Sequence, residues 1–127
     1  MQKNRKARET GNIGEKAAAA FLESRGYTIL ERNFTVRGGE IDIIAYKDGR
    51  LAFVEVKTRS PDALVSGERS VTKAKRNFII RAAGIYYSRY RQAHGEAVCR
   101  FDVAAAVLEN GKITHVRYYV GAFDAST

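Results

Sequence analysis

The sequence predicts a mixed α/β fold, in which a central sheet of parallel and antiparallel strands is flanked by helices. Two observations support this prediction. Five apolar runs rich in β-forming residues follow one another as a group of three and a group of two. One segment with helical spacing of apolar residues lies before each group, and the apolar faces of these two segments must cover the sheet. At 127 residues, the chain has the length of one domain with a substantial core.

The first helix is predicted over residues 12–25, because apolar residues recur there and Gly26 is a good C-terminal stop. The preceding residues are rich in Lys and Arg and lack the apolar segment of a signal peptide. We therefore expect residues 1–10 to form a flexible basic N-terminal arm and residues 11–127 to form a single domain.

The next three elements are predicted to be antiparallel strands, over residues 27–36, 39–46 and 51–57. Between the second and third strands lies Asp48-Gly49, a pair that readily adopts the positive φ values of a tight hairpin turn. With these two as the turn residues, Tyr46 pairs with Leu51, and the residue numbers of every opposed pair add up to 97.

A long loop with the only proline of the chain follows the third strand, and loops of this length in compact domains are often functional. A second helix is predicted over residues 70–92, with Ser70 or Thr72 as its cap. This helix is long enough to carry the chain across the sheet, so that a fourth strand at 100–108 runs parallel to a neighbour. Asn110-Gly111 then predicts a hairpin turn to a last strand.

The composition indicates the class of partner. The formal net charge of +8 favours a polyanion, with nucleic acid ahead of an anionic membrane surface. Cys99 is the only cysteine, which excludes an internal disulfide and a cluster of thiolate metal ligands. No stretch has the length and apolar character of a membrane span. The expected location is the cytoplasm.

The predicted hairpin places two acids face to face. In the register above, Asp42 lies directly opposite Glu55, and Lys57 points to the same face. Two opposed carboxylates about 5 Å apart repel each other, and natural sheets avoid such pairs. Either Lys57 neutralises the acids, or a divalent metal lies between them. A cross-strand ion pair between Lys57 and Glu40 is the simple structural alternative for the lysine.

A metal at this position would have oxygen ligands. The carboxylates of Asp42 and Glu55, together with the backbone carbonyl of Val56, are hard ligands that suit Mg²⁺, or Mn²⁺ in its place. Such an ion would bind a phosphate oxygen and activate a water molecule for attack on phosphorus. Lys57 would then orient that water or stabilise the negative charge that develops on the phosphate.

Glu15, near the start of the first helix, is a third candidate acid. The run from Asn12 to Glu15 matches a capping box, and an acid in a first turn complements the helix dipole, so a structural role is one interpretation. The functional interpretation makes Glu15 a metal ligand on a helix docked above the acidic face of the sheet.

These residues match a known pattern. Asp42 followed by Glu55-x-Lys57 on consecutive strands resembles the PD-(D/E)xK nuclease signature, and a helical acid at the position of Glu15 is similar to archaeal Holliday-junction resolvases. Segments across nearly the whole chain resemble the bacterial YraN family. They are Gly11-Asn12-Ile13-Gly14-Glu15, Gly26-Tyr27-x-Ile29-Leu30-x-Arg32-Asn33, Gly39-Glu40-Ile41-Asp42, Phe53-Val54-Glu55-Val56-Lys57-Thr58-Arg59, Arg100-Phe101-Asp102-Val103 and Ala122-Phe123.

The resemblance implies a restriction-endonuclease-like αβββαβ core with a mixed central sheet flanked by helices and an added C-terminal strand. It also implies that Glu15, Asp42 and Glu55 are metal ligands and that Lys57 is the catalytic lysine. The proline of the signature is absent, because Ile41 stands before Asp42.

The activity that follows is that of a Mg²⁺-dependent endonuclease acting on DNA, with branched or structured DNA among its candidate substrates. A symmetric homodimer would suit the cleavage of two strands, and the resolvase-like relatives suggest one. The main alternative is a non-catalytic nucleic-acid-binding protein on a nuclease-like fold. A third is a structural partner protein whose acids are simply paired with Lys57.

Basic residues near the second helix are candidates for contact with the nucleic-acid backbone. Lys73, Lys75 and Arg76 begin that helix, where cations are unfavourable unless a phosphate is bound. Arg59 and Arg69 on the preceding loop complete the group. A solvated helix face is the structural alternative for each of them.

One further charged pair lies in the fourth strand. Arg100 and Asp102 point to one face of a strand that reads as buried. A structural ion pair is the first interpretation, and an auxiliary role in the active site is the second.

Overall fold

The structure, a computed structural model, describes residues 2–63 and 70–125. Its elements confirm the predicted αβββαβ order and the added C-terminal strand. They are α1 (Gln2–Ser24), β1 (Thr28–Val36), β2 (Gly39–Lys47), β3 (Arg50–Arg59), a short 3₁₀ helix (Pro61–Ala63), α2 (Lys73–His94), β4 (Val98–Glu109) and β5 (Lys112–Phe123).

The five strands form one mixed sheet in the order β1-β2-β3-β4-β5. β3 and β4 are parallel, whereas the other neighbours are antiparallel. The parallel pair requires a crossover, and α2 supplies it, as the sequence predicts.

The β2–β3 hairpin has the predicted register. Tyr46 pairs with Leu51, and the pairing continues in step to Ile43 and Val54. Asp48 has a φ of 49° and Gly49 a φ of 79°, as the tight turn requires. Asp42 and Glu55 would be the next pair, but the ladder ends one step before them. The two strands therefore separate at the acids.

The two helices cover opposite faces of the sheet. Residues of α1 pack with Ala52 and Val54, whereas residues of α2 pack with Leu51 and Phe53. Because side chains alternate along β3, Glu55 lies on the α2 face. The expectation that the helix of Glu15 lies above the face of Glu55 is therefore wrong. The alternation of side chains along a strand shows which residues share a face, but it does not show which helix covers that face.

α1 begins at Gln2, ten residues before its predicted start. The residues before Gly11 are mostly good helix formers and include no proline, so nothing in them ends the helix. Asn12 therefore lies in the helix interior, and the capping-box interpretation of Glu15 is wrong. The flexibility of residues 1–10 and the division of the chain after them stay predictions.

Candidate active site

Asp42 lies where β2 and β3 separate. Its Oδ2 accepts a hydrogen bond of 2.8 Å from the backbone N–H of Val56, at a level where the regular ladder has already ended. The carboxylate therefore takes the place of a ladder carbonyl between the two strands. From this position it interacts with an acid on each face of the sheet.

Glu55 interacts with Asp42 from the α2 face. Its side chain is only 11% exposed and interacts with the Asp42 carboxyl through charge and hydrogen bonding, both of which act on its pKa. Burial, then the charge of Asp42 and this hydrogen bond, raise the pKa of Glu55 to about 8, although Lys75 acts in the opposite direction. At neutral pH, Glu55 therefore holds a proton.

Two lysines belong to this part of the molecule, and one of them contacts Glu55. Lys57 donates a hydrogen bond to the backbone carbonyl of Ser70, the residue at which the described chain resumes before α2. Lys75 Nζ lies 3.6 Å from Glu55 Oε2 and 3.8 Å from Glu40 Oε1. Lys75 therefore contacts two acids in this structure, and its contact with nucleic acid stays a prediction.

The first turn of α2 positions Lys75. Thr72 is the N-cap residue, and its Oγ1 accepts a hydrogen bond of 3.2 Å from the Lys75 backbone N–H. Of the two caps proposed from the sequence, Thr72 is the one found. The cap fixes the helix start, so that the Lys75 side chain projects toward Glu55.

Glu15 interacts with Asp42 from the α1 face. It is 6% exposed and lies one turn before Ala18, which is fully buried. Arg32 Nη2, on β1, is 3.3 Å from Glu15 Oε1. Burial and then Asp42 raise the pKa of Glu15, while Arg32 and a hydrogen bond with Asn33 lower it. The raising effects prevail.

A cleft of about 340 Å³ opens at this point of the molecule. Glu15, Asp42 and Val56 line it, together with the exposed Arg59. Gly14 faces the same region, because a Cβ there would meet the Thr58 side chain. The cleft gives solvent a path to the acids on the α1 side.

The predicted metal ligands come together around Asp42, although they do not form a compact triad. Within residues 2–63 and 70–125, no group of three or more His, Cys, Asp or Glu side chains is arranged so that it could hold a metal ion. Glu15 and Glu55 approach Asp42 from opposite faces. The metal roles of Glu15, Asp42, Glu55 and the Val56 carbonyl stay predictions, as does the catalytic role of Lys57.

Arg32 and Asn33 are site residues for which no sequence pattern predicts a role. A signal for Arg32 existed in the strand pairing, because it lies opposite Ile43 and therefore on the α1 face, where Glu15 is found. Asn33 adopts a left-handed φ of 54°, which is uncommon outside glycine. Neither the pairing of Arg32 nor the φ of Asn33 can be predicted from the sequence of β1 alone.

The other predicted nucleic-acid contacts differ in their surroundings. Arg59 and Lys73 are exposed. Arg76 is half-buried, and its Nη1 donates a hydrogen bond of 2.8 Å to the Val71 carbonyl, so part of its role is structural. Arg69 lies outside the described residues.

The Arg100–Asp102 ion pair is confirmed. Asp102 is fully buried, and Arg100 Nη2 lies 2.8 Å from its Oδ2. The Tyr118 hydroxyl and the Gly121 N–H also donate to this carboxylate, at 2.5 and 2.9 Å. The side chain thus ties β4 to β5, where the register shifts between Phe101 and Val103.

Among the described residues, no helix combines the length and apolarity needed to cross a membrane.

Comparison with known proteins agrees with the resemblance seen in the sequence. The profile of the family described as "Uncharacterised protein family UPF0102" matches residues 14–106. A UPF0102 protein of Trichlorobacter lovleyi is 44% identical over 90% of this chain and 89% of its own length. The corresponding proteins of Desulfosudis oleivorans and Myxococcus xanthus are 45% and 41% identical, over 91% and 93% of this chain and 90% and 91% of their own. The matched segment contains Asp42, Glu55 and Lys57. The chain belongs to the UPF0102 family, the YraN family.

Proposed function

We propose that the protein is a metal-dependent endonuclease that hydrolyses phosphodiester bonds in DNA, with branched or structured DNA as its substrate class. The observation that carries the proposal is that the carboxyl groups of Asp42 and Glu55 interact at the point where β2 and β3 separate and Asp42 bonds the Val56 N–H. Lys57 is two residues beyond Glu55 on β3, so alternation places it on the same face of the sheet.

The acid pair has the character of a cation site. Two acids that are in contact and largely out of water favour a bound proton, and the pKa of Glu55 is accordingly raised to about 8. A divalent cation at the same place would remove the repulsion more completely than one proton does. Asp42, Glu55 and the Val56 carbonyl would hold Mg²⁺ or Mn²⁺, and Glu15 would add a carboxylate from the α1 face.

When bound, the metal ion would supply the positive charge that stabilises a phosphate under attack. The residues of the chain have separate tasks. Lys57 would exchange its bond to the Ser70 carbonyl for the phosphate or the attacking water, and would stabilise the developing negative charge. Lys75 lies within 4 Å of Glu55 and Glu40 in the metal-free protein and would be released toward the DNA backbone.

The surface charge favours DNA as the substrate. The net charge of +8 attracts a polyanion, and the exposed Arg59 lines the cleft that leads to the acids. Lys73 is exposed at the start of α2, close to the N–H groups that attract a phosphate. These cations would bind the backbone on both sides of the candidate active site.

One observation favours the second candidate, a non-catalytic nucleic-acid-binding protein on the same fold. Lys75 already places an ammonium 3.6 Å from Glu55, so the acid pair is partly compensated without a metal. In that case the acids and lysines would be structural, and DNA would bind through the same basic surface in the presence of a chelator.

The test is cleavage of labelled single-stranded, duplex, flap and four-way-junction DNA with Mg²⁺ or Mn²⁺. We expect metal-dependent products, and a loss of rate of about 100-fold or more in Asp42→Asn and Lys57→Ala, because each change removes charge from the reacting centre. Glu96→Gln is the matched control, since Glu96 is exposed and lies on the segment between α2 and β4.

Calorimetry separates the two candidates without a turnover assay. We expect Mn²⁺ to bind to the wild-type protein but not to the Glu55→Gln variant. Unchanged cleavage in Asp42→Asn would refute the assignment of the site. DNA binding without metal binding or products would establish the non-catalytic alternative.

A further inference from the structure

A second pocket, of about 560 Å³, lies at the carboxyl end of α1. Its walls include three aromatic rings and two cations, which are Phe21, Tyr27, Tyr118, Arg25 and Lys47. The volume falls within the range of small-molecule sites, about 300–1,000 Å³. None of these residues takes part in the acid pair, so the pocket needs an explanation of its own.

The end of α1 builds one wall of the pocket. Gly26 has a φ of 90°, and the N–H groups of Gly26 and Tyr27 bond the carbonyls of Glu23 and Leu22, each at 3.0 Å. This Schellman motif turns the chain sharply, so that Tyr27 lies beside the helix end. Arg100 then donates a hydrogen bond of 2.6 Å to the Tyr27 hydroxyl, which restrains the ring.

The second wall is a pair of stacked rings from two elements. Phe21 of α1 and Tyr118 of β5 have ring centroids 5.6 Å apart. The Tyr118 hydroxyl donates to the buried Asp102, so that this ring is restrained as well. Val120 extends the apolar wall and is 58% exposed. Both walls are thus preformed, with apolar surface left open to solvent.

The cations lie against the rings. The Arg25 guanidinium is 4.6 Å from the centroid of Phe21, and Lys47 Nζ is 5.5 Å from that of Tyr27. Lys47 also donates a 2.5 Å hydrogen bond to the Arg25 carbonyl, which uses one of its three N–H groups. In the described part of the chain, neither cation is paired with a carboxylate. The pocket therefore offers positive charge together with aromatic surface.

We propose that this pocket binds one unpaired nucleotide of a nucleic-acid strand, with its base against the rings and its phosphate against Arg25 and Lys47. Grooves for single strands combine these two features, because every base has a π face and every linkage a negative charge. A base must leave its duplex to stack in this way, and the flaps and single-stranded segments of structured DNA provide such bases.

The proposal rests on the proposed function and extends it by a second contact with the substrate. Arg25 follows Glu15 by ten residues of sequence, and a helix rises by about 1.5 Å per residue, so the pocket lies about 15 Å along α1 from the acids. This distance corresponds to about four nucleotides of one strand in a duplex. A short stretch of one strand can therefore contact the acids and the pocket at the same time.

The first test is an NMR titration of the metal-free wild-type protein with thymidine 5′-monophosphate, thymidine and inorganic phosphate. We expect the monophosphate to shift the backbone amides of Tyr27, Lys47 and Val120, with an affinity at least about fivefold higher than that of thymidine or phosphate. Thymidine binding as tightly would show that the cations do not contribute. Phosphate binding as tightly would show that the rings do not. Either result would overturn the proposal.

The second test measures the affinity for a twelve-residue oligothymidylate in EDTA. We expect Phe21→Leu and Lys47→Gln each to weaken binding by about fivefold or more. Arg89→Gln removes the same charge as Lys47→Gln from an exposed position on α2, and we expect almost no change. Equal losses in Lys47→Gln and Arg89→Gln would indicate only non-specific attraction and would overturn the proposal.

Both measurements are independent of cleavage, so the two proposals can fail separately. If the amide shifts occur and no DNA is cleaved, the nuclease assignment fails and the nucleotide site stands. If Asp42→Asn abolishes cleavage and the pocket amides do not shift, the nucleotide site alone fails.

Discussion

Glu55 is the residue whose ionisation is most altered by its surroundings at the candidate active site. Its pKa rises from the ordinary value of 4.5 to about 8, because the carboxyl is buried and lies against Asp42. The folded protein therefore binds a proton at neutral pH that the unfolded chain releases. Folding is thus coupled to pH at a single side chain.

The sign of this coupling gives a prediction for the metal-free protein. Between pH 4.5 and about 8 only the folded state holds the proton of Glu55, so the free energy of unfolding should fall as the pH rises. The slope from one such group is at most about 1.4 kcal/mol per pH unit. We expect Glu55→Gln to flatten this dependence, as measured by urea unfolding in EDTA from pH 5 to 9.

Glu96→Gln serves as the control, because this exposed carboxylate should leave the pH dependence as it is in the wild type. The raised pKa of Glu15 acts in the same direction and would leave a smaller slope in Glu55→Gln. If the curves of the wild type and Glu55→Gln ran parallel over the whole range, the acid contact would not exist in solution.

The sequence could predict the residues of the acid pair, but not the partners that surround it. Asp42 and Glu55 belong to one hairpin, so the turn at Asp48-Gly49 sets their relative positions through local pairing. Arg32 and Lys75 reach the same acids from β1 and α2. Their positions depend on how elements dock, and no local pattern in the sequence encodes that.

At the scale of elements, the approach of α2 to β2 decides where Lys75 lies. The two elements meet at Gly39, where a Cβ would be 2.6 Å from the backbone oxygen of Phe78 and 3.0 Å from the backbone nitrogen of Ala82. Both are main-chain atoms of the helix, so a side chain at Gly39 cannot be accommodated by a change of rotamer. The absence of a side chain permits this packing.

We therefore expect Gly39→Ala to lower the free energy of unfolding by about 1–3 kcal/mol, the usual cost of overpacking. Gly84→Ala is the matched change on α2, where an added Cβ meets nothing within 4 Å. It should raise stability by about 0.5–1 kcal/mol, because alanine is the better helix former. Urea unfolding of both variants at one pH measures the contrast, and a neutral Gly39→Ala would contradict the close approach.

The ends of the elements were predictable only where a special residue marks them. Gly26 and the Asn110-Gly111 pair lie where the sequence predicts an end and a turn, since both need positive φ values. The sequence predicts the start of α1 near Asn12, whereas the helix begins at Gln2. Residues with good helix propensity and no breaker leave such a boundary unmarked.

At the scale of the whole molecule, the order of elements was sufficient to predict the mixed sheet. A helix between β3 and β4 makes those strands parallel, and short turns make the other neighbours antiparallel. The side of the sheet that each helix covers was not predictable. The consequence is that Glu15 and Glu55 interact with Asp42 from opposite faces, an arrangement that the linear motif does not contain.

The net charge of +8 leads to the last prediction, which concerns the binding of DNA by the whole protein. Binding to duplex DNA in EDTA should weaken linearly on a log–log plot as salt rises, since each phosphate contact releases counterions. Arg59→Gln and Lys73→Gln should each reduce the magnitude of the slope by about 0.9, because both cations are exposed beside the candidate active site. Arg89→Gln, on α2 at a distance of about 24 Å along the helix from Lys73, should leave it unchanged. Fluorescence anisotropy between about 50 and 200 mM salt measures these slopes, because a protein with six to ten phosphate contacts loses about 10³–10⁵ in affinity over that range. Equal effects of all three substitutions would mean that DNA has no preferred face on this protein.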